Sequence, residues 1–378
     1  MMANDQQERW EPILSLIAGS PAPPISPESI QGRRILITGA GGSIGSALAH
    51  AIFRCDPEHV VLLDASEQAL HRLMQGMGWP NSSATGTPYT AALGSVGDRR
   101  LIEELFERHR PEIVIHTAAF KHVPLMEFHP FAAMQNNALG TFTLVQAAIE
   151  SGAGQVLILS TDKAVAPSSI MGASKRIAEL ILLWLTSGAT RLKAVRLGNV
   201  LGSDGSVLPI FQSQIDRREA LSVTHPDASR YFLSMQQAVH LLLHALSSDI
   251  PAGIFVPELG EPTRIEEIAR QLLAANPGST SQVVFTSLRP GDKLTEKLVS
   301  SSESVSEPPI EDDASFLRAV HTSSSVAVES ALEELHEAVQ ERNLPQLLRV
   351  VVKLVPDYRP SSVIQAALEE QATMRSQP

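Results

Sequence analysis

Three side chains of different chemistry stand in a row at Thr161-Asp162-Lys163, directly after the apolar run at 156–160. A hydroxyl, a carboxylate and an ammonium at a strand's end form a compact acid–base set, able to exchange protons with adjacent atoms of one substrate. Lys175 follows one turn into the next helical pattern. A second cluster, Lys121, His122 and Glu127, comes after the run 113–117 and two small residues, Ala118 and Ala119. Small residues at that place let a ligand lie against backbone, and a surface loop would not need them beside so many charges. Lys121 and His122 therefore read as substrate contacts, with Glu127 in the same set, and His116 reads as a packed core histidine.

These groups need elements to position them. The run Ile35-Leu-Ile-Thr38 leads into Gly39-Ala-Gly-Gly42-Ser43-Ile44-Gly45 and then a helical pattern. Gly39 permits a sharp turn off the strand, Gly42 permits backbone to approach a pyrophosphate, and Gly45 permits close helix–strand packing. The helix N-terminus adds N–H groups and a positive dipole end for the phosphates. A second strand ends in Asp64, which predicts a ribose contact and NAD in preference to NADP; the competing assignment is a helix cap, since Ser66 and Glu67 follow. Lys175 has the reach to meet the nicotinamide ribose.

Apolar runs at 35–37, 60–63, 113–117, 156–160 and 193–197 alternate with helical patterns such as 98–109 and 131–150. This predicts an α/β fold: a Rossmann-type doubly wound parallel sheet over 34–200, with ligands past the C-terminal strand ends and some later segments returning to it. Residues 1–33 form an arm with a short helix from Trp10 to Ile17, broken by the Pro-rich stretch 20–27. A smaller substrate-binding lobe is expected over 201–300, with helices at 235–247 and 264–275 and short strands at 253–257 and 282–286. The Ser-, Glu- and Pro-rich residues 301–328 read as a surface loop, and 329–354, within a C-terminal segment 329–378, as amphipathic helix.

The 378 residues carry a net charge of −11 and 43% hydrophobic content, enough for a sizeable core and unlike a nucleic-acid-binding surface. The single cysteine, Cys55, excludes an internal disulfide and a Cys/His metal framework. The polar residues 1–10 do not resemble a signal peptide, and no apolar stretch of ~18 residues reads as a transmembrane segment. A cytoplasmic protein is expected.

Taken together, Thr38–Gly45, Ala119-Phe-Lys-His-Val-Pro-Leu-Met-Glu127, Ser160-Thr-Asp-Lys-Ala-Val165, Met171-Gly-Ala-Ser-Lys-Arg176, Arg196-Leu-Gly-Asn-Val-Leu-Gly-Ser203, Val223-Thr-His-Pro-Asp227, Arg230-Tyr-Phe232 and Leu288-Arg-Pro-Gly-Asp-Lys-Leu294 resemble the polysaccharide-biosynthesis nucleotide-sugar dehydratases. These are extended short-chain dehydrogenase/reductases of the UDP-N-acetylglucosamine 4,6-dehydratase type. The resemblance runs from about Glu11 to Tyr358. It implies a UDP-sugar substrate, a tightly bound NAD or NADP regenerated in each cycle, and a homo-oligomer. It places acid–base work on Asp162 and Lys163 and the C4-hydroxyl contact on Thr161. Met171 stands where the wider superfamily has a tyrosine, and a thioether cannot shuttle a proton. Ser95, next to Val96 on the adenine side, stands where the family often has an acid. Arg230 and Arg289 are candidates for the diphosphate, as guanidinium forks match phosphate oxygens. Asn199 and the Gly202–Gly205 turn would hold the pyrophosphate or nucleoside, Pro209 and Gln214 the base, with Asn137 and Thr224 in the same substrate set. A 4-epimerase on the same scaffold and a non-catalytic nucleotide-binding protein are the alternatives.

Overall fold

The computed structural model describes residues 10, 13, 27–78, 86–186, 188–301, 303–306, 316–321 and 328–376. Seven parallel strands form the centre: β1 (Arg34–Thr38), β2 (His59–Asp64), β3 (Tyr89–Leu93), β4 (Ile113–His116), β5 (Gln155–Thr161), β6 (Arg191–Leu197) and β7 (Ala252–Pro257), in the spatial order β3-β2-β1-β4-β5-β6-β7. Ile35, Leu36 and Ile37 are all 0% exposed, as continuous apolar runs must be when both sheet faces are covered. On one face lies α1 (Ser43–Phe53). On the other lie α3 (Arg99–His109), α4 (Gly140–Glu150) and α5 (Ile170–Trp184), reached after α2 (Glu67–Gly76) has followed β2. The reversal of strand order beside β1 leaves a crevice between the ends of β1 and β4, where such sheets bind ligands.

The lobe holds α6 (Val207–Asp216) and α8 (Ile265–Ala274), packed on the short paired strands Leu221–Val223 and Val283–Phe285. Between them in sequence, α7 (Met235–Ser247) returns to cover the sheet beside α1. A capping box at Ser234 and Gln237 starts α7, and buried Lys193 ends it by donating to the carbonyls of Ala245, Leu246 and Ser248. Of the helix expected at Trp10–Ile17, only Trp10 and Ile13 fall among the described residues, and buried Ile13 joins the lobe core with Leu208 and Phe211.

Two expectations need correction. Residues 301–328 are not a surface loop throughout. β8 (Glu303–Ser306) and β9 (Phe316–His321) extend the sheet antiparallel beyond β7, giving its open edge hydrogen-bond partners. The pattern at 131–150 is helical as expected, running from Pro130 through a π-helical segment at Met134–Leu139 into α4. The expected helix 329–354 is two helices, α9 (Val328–Gln340) and α10 (Leu344–Leu354). Arg342 sits between them at φ +52°, and the Asn343 side chain caps Gln346 N–H where Pro345 starts the next helix. α11 (Ser362–Ser376) closes the chain. Together α9 and α10 cover the outer face of α5.

Candidate active site

The glycine turn is shaped by contacts that forbid side chains. Gly39 has φ +67°, and a Cβ there would lie 2.6 Å from Ala118 N; a Cβ on Gly45 would lie 2.0 Å from Gly39 O. Gly41, whose need for hydrogen was not legible in the sequence, would place a Cβ 2.5 Å from Ala69 C. Gly42 differs. It is the N-cap of α1, and a Cβ would meet only Gly39 O, at 3.2 Å, so its outer side is left open for a ligand. Asp64 accepts from Gly41 N–H and Ser66 N–H, both at 2.8 Å, and thereby braces the turn. It does not cap α2; Ser66 does. A carboxylate has about four acceptor sites, so two remain for ribose hydroxyls.

Beneath the turn, Thr38 Oγ1 lies 2.7 Å from His116 Nδ1, and His116 Nε2 lies 2.9 Å from Thr141 Oγ1, which itself donates to Asn137 O. The Thr141 proton is thus committed, so His116 Nε2 carries the hydrogen and Nδ1 accepts from Thr38. Burial, with Lys175 nearby, lowers the His116 pKa to about 3. It is a neutral core histidine, as its sequence position suggested.

At the end of β5, Asp162 Oδ1 accepts from Thr161 Oγ1 and from Lys163 Nζ, each at 2.9 Å. Lys163 Nζ also donates to Asn199 Oδ1 at 2.8 Å. Asp162 is 0% exposed, and its second oxygen, Oδ2, has no hydrogen-bond partner. Lys175 sits on α5 with an ammonium lowered to about 8 by burial, partly offset by Glu179. Met171, one turn earlier, is 3% exposed and packs in the apolar cluster under α9 and α10, so it contributes packing and no proton.

The lobe touches both clusters. Asp204 N–H donates to Ser43 Oγ, the first residue of α1, at 3.0 Å. Gly202 and Gly205 have φ of +73° and +69°, and a Cβ on Gly205 would lie 2.7 Å from the His122 ring. Lys121 feels Asp204, and His122 is lowered by burial and by the charges of Lys121 and Arg289. Asp204 and Gly205 thus bring Lys121 and His122 beside the start of α1. Arg289 is exposed and bonds Asp292 through Nε at 2.8 Å. Arg230 is buried and donates to the carbonyls of Ser229, Lys293 and Leu294, which occupies three of its five N–H groups. Pro209 lies in the first turn of α6, Gln214 is held against Ser222, and Thr224 is half-buried after Leu221–Val223. Ser95 Oγ accepts from Gly97 N–H, and Val96 is buried beside Gly140.

Two residues expected at substrate do other work. Glu127 is 1% exposed; it accepts from Ile170 N–H at the start of α5 and from the Ser361 hydroxyl, and burial raises its pKa. It ties α5 to the C-terminal segment. Asn137 is fully buried in the π-helical turn, where it accepts from Phe120 N–H and Asn136 and donates to Phe120 O and Ser174 Oγ. With all four positions used, it fixes the loop that presents Lys121 and His122. Around the loop that follows Lys163, Lys293 donates to Val165 O, Ser168 to Gly291 O, and Arg359 N–H to Pro167 O. Among the described residues no group of three or more His, Cys, Asp or Glu side chains could hold a metal ion.

A family model described as "Polysaccharide biosynthesis protein" matches residues 35–316. The chain belongs to the polysaccharide biosynthesis protein family. Among relatives in this group, the Bacillus subtilis (strain 168) "Probable polysaccharide biosynthesis protein EpsC" is 39% identical over 72% of this chain and 46% of its own length. The chain thus spans about half the length of that relative. A UDP-glucose 4-epimerase from Rickettsia rickettsii is 32% identical over 72% of this chain and 79% of its own. The solved structure of Pen from Bacillus thuringiensis shares the fold at TM-score 0.70 and 25% identity, covering 77% of this chain and 90% of Pen. DesIV, a dTDP-glucose 4,6-dehydratase from Streptomyces venezuelae solved with NAD and TYD bound, does so at 0.61 and 19%, covering 70% and 88%. The matched region holds the whole crevice; α9, α10 and α11 lie beyond it. No helix among the described residues is long and apolar enough to cross a membrane.

Proposed function

We propose that the chain is a nucleotide-sugar 4,6-dehydratase that converts UDP-N-acetylglucosamine, or a related UDP-HexNAc, to a UDP-4-keto-6-deoxy sugar. The observation that carries this reading is the Asp162–Lys163 pair, joined at 2.9 Å, with the carboxylate buried and one of its oxygens unpartnered. A carboxyl and an amine side by side are the acid and the base that an elimination requires.

The dinucleotide, NAD or NADP, fits the glycine turn through Thr38, Gly39, Gly42, Ser43, Ile44 and Gly45. Asp64 serves its adenosine ribose, Ser95 and Val96 its adenine side, and Ala118, Ala119 and Lys175 its nicotinamide end. A carboxylate at that ribose disfavours a 2′-phosphate, which favours NAD. When bound, the cofactor takes hydride from C4 of the sugar and returns it to C6. The chain supplies the proton traffic. Lys163 takes the C5 proton, Asp162 protonates the departing C6 hydroxyl, and water leaves. The proton Asp162 gives is the C4-hydroxyl proton, which reaches it through Thr161 Oγ1 as the hydride leaves C4, and Lys163 then returns the C5 proton, so the pair ends as it began. Arg230 and Arg289 supply the charge for the diphosphate, Lys121 and His122 contact the substrate, and Asn199 holds Lys163 in place.

The relationship to UDP-glucose 4-epimerases, at 32% identity, favours a second reading, a nucleotide-sugar 4-epimerase. Incubation with UDP-GlcNAc separates the two. A product lighter by one water, without net consumption of NAD, is the expected result. A product of unchanged mass with inverted C4 would sink the dehydratase reading.

A further inference from the structure

Four charged side chains meet beneath the site. Arg196, on β6, donates through Nε and Nη2 to both oxygens of Glu179, each at 2.8 Å, and through Nη1 and Nη2 to both oxygens of Glu303, at 2.8 and 2.7 Å. Arg176 Nη1 bridges the same carboxylates, 2.7 Å from Glu179 Oε2 and 3.0 Å from Glu303 Oε1. The side chains of Glu179, Arg196 and Glu303 are 0% exposed and that of Arg176 is 8% exposed. The two positive and two negative charges cancel. Glu303 comes from β8, across 107 residues of chain from Arg196. On the site side, Glu179 accepts from Ser160 Oγ at 2.6 Å, one residue before Thr161, and stands one helical turn after Lys175 on the same face of α5.

We propose that Glu303 is a positioning residue for this site: its carboxylate answers the charge of Arg176 and Arg196, so that Glu179 can hold Ser160 and keep Lys175 protonated at the dinucleotide. The inference rests on the dinucleotide reading above. Besides Glu179 on its own helix, Lys175 faces neutral His116 from β4. Its ammonium therefore responds to the net charge of the four-residue cluster. Without the Glu303 charge the cluster is left with one positive charge in excess, which lowers the Lys175 pKa further.

The test is NADH affinity, by fluorescence, at pH 6.5 and pH 8.5, for the folded full chain. Glu303→Gln keeps the shape and removes the charge. It should bind NADH within about twofold of the parent at the lower pH and about three- to tenfold more weakly at the higher, since one pKa unit corresponds to tenfold. Glu303→Asp keeps the charge and shortens the side chain, and should follow the parent at both. A role in packing alone predicts the reverse ranking, with Asp the worse variant; that ranking, or equal behaviour of both variants, overturns the proposal. The neutral double variant R176Q/E303Q should regain the parent's pH dependence, and it decides the matter should E303Q not fold. If the parent does not bind NADH, both readings fall. If it binds NADH but leaves UDP-GlcNAc unchanged, the dehydratase reading falls, and the Gln-to-Asp comparison still decides this one.

Discussion

Asp162→Asn should lower kcat for water loss from the UDP-sugar by about 10²–10⁴-fold, the usual range for a lost general acid or base, with KM little changed. The amide can still accept from Thr161 and Lys163 through Oδ1, so the geometry at the end of β5 survives. It cannot pass a proton to a leaving hydroxyl. Lys163→Ala should be comparably slow for a different reason, and isotope exchange separates the two. In D₂O, Asp162→Asn should still exchange hydrogen at C5 of the substrate, whereas Lys163→Ala should not. The double variant should be scarcely worse than either single, because the pair acts as a unit. Retention of most of the parent's water-loss activity by either single variant would remove the elimination chemistry from this pair.

The largest effect on stability is expected from Arg196→Met. Methionine fills much of the arginine volume but leaves Glu179 and Glu303 buried with only Arg176 to answer two negative charges. Removing one partner from a buried ionic group typically costs about 3–5 kcal/mol. A fall of that size in the unfolding free energy, read from a denaturant midpoint at unchanged m-value, is the expected outcome. A loss of under about 1 kcal/mol would show that water or backbone relaxation replaces the guanidinium. Glu179 is held well below the usual carboxylate range, at about 2, by Arg196, Arg176 and Ser160 against the opposing effect of burial. Its stabilising contribution is therefore fully present above its unfolded pKa and is lost as pH falls through about 2.

Much of this was legible in the sequence where the signal is local. Apolar runs located β1, β2, β4, β5 and β6, because a strand covered on both faces must be apolar throughout. The glycine spacing located the turn that opens α1, and Thr161-Asp162-Lys163 is a contiguous string whose members do bond to one another. Other features depend on partners far away in the chain. β3 reads Tyr89-Thr-Ala-Ala-Leu93, too short and too weakly apolar to stand out without β2 beside it. β8 and β9 lie in a Ser- and Glu-rich stretch and are strands because β7 offers an edge. Glu127 and Asn137 are polar residues near charged neighbours, the same pattern a substrate contact shows. Only the fold reveals that their hydrogen bonds go to Ile170, Ser361, Phe120 and Ser174. The ion cluster around Arg196 left no periodicity, since its members sit at 176, 179, 196 and 303.

The attachment of the C-terminal segment to the loop after Lys163 has a consequence for how the molecule responds to ligands. Arg359 holds Pro167, and Ser361 shares Glu127 with the first amide of α5. A ligand that reorders residues 164–170 differently in its bound and free states shifts the contacts at 359 and 361 with them, and reciprocity then requires a change at 358–364 to shift that ligand's affinity by the same factor. Residues 359 and 361, outside the family-matched region, thus clasp the loop that follows the acid–base cluster from within the same chain.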